Sequence, residues 1–231
     1  MSTSFSQDLL NNTVSAKDQL ESDQYVSFER VEAPVKKVLF IGNSITRHGV
    51  ADYIGWHNDW GMAASDISKD YVHVAAATLR QAFGPISVCI AQCATWEWQY
   101  WSTEVLEQYY ARARDFAADI IVVRLGENVD RGKLAEHDLA AGFADMVKFF
   151  AVNPAAQIVV TDLFWRSEAI DEPIARACEA NGWPLVEIGD LGAMDEMKAL
   201  GLFEHEGVAL HPGDKGMAAI AARITDHIVN N

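Results

Sequence analysis

The chain has 231 residues, half of them apolar, and carries 33 acidic against 18 basic side chains for a formal charge of -15. That length supports a sizeable core in one α/β domain, with or without an N-terminal extension. The acidic field repels nucleic acid and anionic membrane surfaces, and fits a neutral or locally recognised small molecule better. Cys89, Cys93 and Cys178 lack Cys-x-x-Cys spacing and sit in apolar or helical contexts, which reads as buried free thiols rather than a metal or redox site. The polar stretch from Met1 to Gln24 has no apolar core of a signal peptide, and no later run is long enough to span a bilayer. The expectation is a cytoplasmic protein.

Residues 1–30 place Leu9, Leu10, Val14, Leu20, Tyr25 and Phe28 among polar positions, which predicts one or two flanking helices and divides the chain at 1–34 and 35–231. Pro34 breaks the chain, and Val35–Gly42 reads as the first strand, an apolar run ending in Gly. The turn Gly42–Asn43–Ser44 then brings a hydroxyl to the strand's carboxyl end, where open α/β sheets keep their chemistry. By composition alone it is also an ordinary strand-to-helix turn. It is not the Gly-x-Ser-x-Gly elbow, because Thr46 stands where the second Gly belongs. From Thr46 to Ser68 the periodicity is weak, and a long segment of this kind after a nucleophile is a candidate wall of a binding site.

Asp70 is placed to cap a helix carrying Val72, Ala76, Leu79 and Phe83 and closed by Gly84. Strand two, Ile86–Ala91, leads into the aromatic stretch from Gln92 to Trp101. Helix Ser102–Ala118 precedes strand three, Asp119–Leu125, which ends in Gly126–Glu127–Asn128. Helix Leu134–Val152, strand four Gln157–Phe164, a helix near Pro173–Asn181 and strand five Pro184–Ile188 follow. A shorter helix, Leu191–Leu200, the loop Phe203–Gly213 and a last helix through Met217, Ile220, Ala221, Ile224 and Ile228 complete the chain. Strands alternating with helices predict a three-layer α/β/α fold on a five-stranded parallel sheet. A flavodoxin-like order 2-1-3-4-5 opens a crevice between the first and third strands, with Ser44 and Asn128 facing each other across it.

These residues resemble the SGNH (GDSL-like) hydrolases, a family marked by a Gly-Asp-Ser turn, a Gly after the second strand, a Gly-x-Asn-Asp after the third and an Asp-x-x-His near the C-terminus. Gly42–Asn43–Ser44–Ile45–Thr46 is similar to the first block with Asn for Asp, Gly126–Glu127–Asn128 to the third with Val129 for the second Asp, and His211–Pro212 to the last. The resemblance runs from about Lys37 to the C-terminus and implies the fold of that family, an esterase activity and no cofactor.

A serine hydroxyl is a weak nucleophile at neutral pH unless an imidazole takes its proton, so Ser44 and His211 are the candidate nucleophile and base. The oxyanion needs preorganised donors. The Ser44 N–H and the Asn128 amide are candidates, and the resemblance implies a third from a Gly after strand two. No Gly stands there; Ala94 is the nearest equivalent, with Cys93 and Thr95 as alternatives. Three residues before His211 the family has Asp and this chain has Val208, which accepts no hydrogen bond. Glu206, Glu204 or a backbone carbonyl is left to hold the ring, which predicts a Ser–His dyad with Glu206 as a weak third member.

Arg124 interrupts an apolar strand beside Asn128. It reads either as a buried ion pair with Glu127 or Glu97, or as a substrate-binding group. Glu97, between two tryptophans, has the same two readings. Trp56, Trp60, Trp96, Trp98 and Trp101 follow the first two strands. Some serve the core, and others, with Trp96 the foremost candidate, line the crevice and suit a sugar ring. The expected partner is a small-molecule or carbohydrate ester, with neither nucleic acid nor membrane, and the expected reaction is removal of an acetyl or other short acyl group. The alternative is a catalytically impaired carbohydrate-binding module on the same fold.

Overall fold

The computed structural model describes residues 25–231. Strand β1 (Val26–Glu29) is followed by β2 (Lys36–Gly42), α1 (Tyr71–Phe83), β3 (Ile86–Gln92), the single turn α2 (Ala94–Glu97) and α3 (Glu104–Arg114). Next come β4 (Ile120–Arg124), α4 (Leu139–Phe150), β5 (Gln157–Thr161), α5 (Glu168–Asn181) and β6 (Leu185–Val186). The short α6 (Gly189–Gly192) and α7 (Glu206–Ala209) precede the C-terminal α8 (Asp214–Asn230).

One sheet runs β1-β3-β2-β4-β5-β6, and all neighbours are parallel except β1 on β3. The five parallel strands take the expected 2-1-3-4-5 order. The sixth corrects the expectation for residues 25–30: Val26 and Phe28 alternate with Ser27 and Glu29 along an edge strand, where a flanking helix was expected. The remainder of that expected helical extension lies outside the described residues.

Alternation along β2 explains the layers. Leu39 and Ile41 join one buried cluster with α3, α4 and α5, while Val38 and Phe40 join a second with α1 and α8. A third, smaller cluster of Ala51, Trp56, Met62, Ala63, Ala199 and Val208 packs the segment after β2 against α7 and the chain before it. That segment is not structureless. Antiparallel bridges His48–Trp60 and Ala51–Trp56 fold it back on itself, and two 3-10 turns, Asp52–Ile54 and Ile67–Lys69, punctuate it.

Helix ends follow local chemistry. The Asp70 carboxylate accepts from the His73 N–H and caps α1, and Asp138 accepts from the Ala140 and Ala141 N–H groups at the start of α4. Helix α5 begins at Glu168 rather than near Pro173, which it holds in its second turn. The expected helix Leu191–Leu200 is α6 plus a 3-10 turn, Asp195–Met197. All three cysteines are buried free thiols.

Register sets the level of the site. Gly42 pairs with Gln92 on one side and Arg124 on the other, so the turns after β2, β3 and β4 converge at one end of the sheet.

Candidate active site

Gly42 makes the turn possible, since a Cβ there would lie 1.7 Å from Thr46 Oγ1 and 2.9 Å from the Arg124 carbonyl. The Asn43 carbonyl closes the turn by accepting from the Thr46 and Arg47 N–H groups, both at 2.9 Å, and the Met62 N–H donates to the Ser44 carbonyl. Ser44, 8% exposed, is thereby fixed with its Oγ 2.9 Å from Nε2 of His211.

His211 follows the one-turn helix α7. Its Nδ1 lies 2.6 Å from the Gly207 carbonyl oxygen, four residues back. A carbonyl only accepts, so Nδ1 carries the proton and Nε2 presents its lone pair to the Ser44 hydroxyl. The expected third member is corrected: Glu206 and Glu204 are exposed, and a backbone oxygen holds the ring. The indole of Trp165 stands edge-on to the imidazole, with ring centroids 4.9 Å apart. Burial pushes the His211 pKa well below its ordinary value, and the Gly207 bond offsets this only in part. The ring is neutral, so its Nε2 lone pair is free to accept a proton.

The other wall is a buried polar network. Asn43, fully enclosed, donates from Nδ2 to Glu97 Oε1 at 3.1 Å and to Glu127 Oε2 at 2.7 Å, and its Oδ1 accepts from Arg124. Arg124 grips Glu127 with Nη1 at 2.6 Å and Nη2 at 2.9 Å. Glu97 Oε1 also accepts the backbone N–H groups of Gly126 at 2.8 Å and Asn128 at 3.1 Å, while Oε2 accepts the Asn128 side-chain amide at 2.7 Å. Burial first, and the neighbouring Glu127 charge second, push the Glu97 carboxyl up to about 7.

The structure brings Ser44, His211 and Asn128 to one end of the sheet and revises three other candidates. Arg124 has no exposed surface and belongs to the ion pair with Glu127, which removes it from substrate binding. Trp96 is 1% exposed, packed against Phe143 and Tyr100, so it serves the core. The Ala94 N–H is taken by the Gln92 side chain at 3.1 Å and is therefore not an open oxyanion donor. Among the described residues, the Ser44 N–H and the second Asn128 Nδ2 hydrogen have no acceptor. Sequence reasoning left the Gly207 carbonyl unresolved because any residue supplies one. The role of Glu97 was marked only by a carboxylate set in an aromatic stretch.

Among the described residues no group of three or more His, Cys, Asp or Glu side chains is arranged to hold a metal ion, and no helix is long and apolar enough to cross a membrane.

Comparison with protein-family models and with curated proteins found no match. Among solved structures, the chain is similar to a two-domain esterase active on acetylated mannans, with TM-score 0.55 and 15% identity over 85% of this chain and 50% of that one. It is similar to the salicylyl-acyltransferase SsfX3 of a tetracycline biosynthetic pathway, with TM-score 0.57 and 16% identity over 87% of this chain and 56% of that one. A GDSL-like lipase from Parabacteroides merdae gives TM-score 0.53 and 16% identity over 84% of this chain and 96% of that one. The chain thus spans about half the length of the first two and nearly all of the third. With its 2-1-3-4-5 parallel sheet and its serine and histidine at one end of it, the chain has the fold of the SGNH (GDSL-like) hydrolases.

Proposed function

We propose that this protein is a serine hydrolase of carboxylic esters working through a Ser44–His211 dyad oriented by a backbone carbonyl. The observation that carries the reading is the relay Ser44 Oγ, His211 Nε2, His211 Nδ1, Gly207 O, with links of 2.9 Å and 2.6 Å at its two ends. Ser44 attacks the ester carbonyl as Nε2 takes its proton. The tetrahedral oxyanion is met by the Ser44 N–H and the Asn128 amide, each such donor being worth ~3 kcal/mol. Collapse expels the alcohol, protonated by His211, and leaves an acyl-enzyme that water attacks with the same histidine as base.

For the substrate, the reading is a short acyl ester, acetyl above all, of a carbohydrate or small metabolite. Its support is the acidic surface, the partly exposed Trp98 (40%) and Trp101 (38%), and the activity on acetylated mannans of one structural neighbour. A chain-length profile favouring long lipid acyl esters would contradict it.

The test is intact mass spectrometry after incubation with a fluorophosphonate, comparing the parent with Ser44→Ala. An adduct on the parent that is absent from the variant supports an activated serine. No adduct on folded parent refutes the hydrolase reading and favours a noncatalytic carbohydrate-binding module.

A further inference from the structure

We infer that Glu97 is the positioning residue of the oxyanion site: its carboxylate selects the orientation of the Asn128 side chain that turns an N–H, rather than the carbonyl oxygen, toward the substrate. The inference rests on the hydrolase reading above.

A carboxamide is nearly the same shape at its oxygen and nitrogen ends, so a neighbour has to decide which way it faces. Once ionised, Glu97 decides it, because a carboxylate without its proton only accepts. Its Oε2 takes one hydrogen of Asn128 Nδ2 at 2.7 Å. The flipped amide would set Oδ1 against Oε2, two acceptors at contact. With one N–H fixed on Glu97, the second is held about 120° away by the planar geometry of the amide.

The same carboxylate also fixes the backbone that carries Asn128. Oε1 receives the N–H groups of Gly126 and Asn128, closing the turn in which Gly126 adopts φ +143°, a conformation side-chain-bearing residues avoid. Oε1 further receives Asn43 Nδ2, the residue preceding the nucleophile. One buried group therefore registers the oxyanion amide against the Ser44 turn.

An ionised carboxylate with no exposed surface is costly, and the nearby cation, Arg124, is bonded to Glu127 and Asn43 instead. A neutral glutamine could serve the three donors on Oε1. Only an acceptor on the Oε2 side holds Asn128 as observed. The ionisable groups facing Glu97 are Glu127 from the turn after β4, Cys93 from the end of β3 and Tyr110 from α3. None supplies a positive charge.

The experiment compares p-nitrophenyl acetate hydrolysis by the parent, Glu97→Gln, Asn128→Ala and the double variant, with thermal melting of each. Glu97→Gln is expected to lower kcat on the order of ten- to a hundredfold with KM little changed. If Glu97 acts through Asn128, the double variant is no slower than Asn128→Ala alone. The parent's kcat is expected to rise as pH passes through about 7, where Glu97 ionises, and Glu97→Gln loses that limb. An active, labelled parent with an unimpaired Glu97→Gln, or costs that add in full, overturns the inference and leaves the hydrolase reading standing. If Glu97→Gln melts early, a parent profile that is flat through neutral pH overturns it. A parent that neither turns over nor labels at Ser44 overturns both.

Discussion

The Gly207 carbonyl and His211 Nδ1 meet at 2.6 Å across four residues of chain, so the imidazole and the group that orients it form one local unit. Removing the exposed carboxylates beside that unit, by Glu204→Gln or Glu206→Gln, should leave kcat/KM for a short-chain ester unchanged. A large loss in either variant would restore a carboxylate to the dyad.

Placing at position 208 the acid that SGNH hydrolases carry three residues before their histidine should harm the fold. Val208 is 1% exposed and packs with Ala51, Trp56 and Met62, so Val208→Asp buries a carboxylate among apolar groups. A stability loss of about 3 kcal/mol or more is expected in urea unfolding.

Ser44→Ala and His211→Ala should each lower kcat by roughly 10⁴- to 10⁶-fold, and the double variant should be hardly worse than either. Steady-state hydrolysis at saturating ester measures this, and costs that multiply would show that the two side chains do not act as a pair.

Asn43→Asp, which would recreate the family's Gly-Asp-Ser turn, is expected to destabilise this protein. Both hydrogens of Asn43 Nδ2 serve carboxylates, so Asp would set a third negative group against Glu97 and Glu127 with Arg124 as the cation of the network. The expected cost is about 2–4 kcal/mol at neutral pH. Melting temperatures of the parent and the variant at neutral pH test it.

A second pH effect lies away from the site. His73 bonds Asp70 Oδ1 at 2.7 Å and Glu29 Oε1 at 2.8 Å, and although burial acts against the charged ring, these two carboxylates raise its pKa to about 9. The folded value exceeds the unfolded one, so the stabilisation is complete below the ordinary histidine pKa of 6.5 and disappears as pH rises through about 9. After screening we expect on the order of 1–2 kcal/mol. His73→Gln should therefore melt below the parent at pH near 6 and close to it above roughly pH 9.5, beyond the folded pKa.

The apolar runs of β2, β3 and β4 were legible because strands buried on both faces leave no room for polar residues, and Asp70 and Gly84 marked both ends of α1. The approach of His211 to Ser44, 2.9 Å in the structure, was legible from turn chemistry and position in the order of elements. β1 was not: its four residues alternate too briefly to declare themselves beside a polar segment. Trp96 and Arg124 were misplaced for a different reason. Composition shows that an aromatic or a charge is present, while its direction is set by tertiary partners, Phe143 for one and Glu127 for the other.

The strand that escaped the sequence covers what would otherwise be a long apolar edge of the sheet. All seven residues of β3 are buried, and without a neighbour their unpaired amides and carbonyls would offer a template for another chain. Four residues pair along that edge from Val26 to Glu29, and Glu29 is anchored to α1 by His73 and Arg80. A short border ending in a charged residue thus stands where a long apolar one would offer a template for lateral growth.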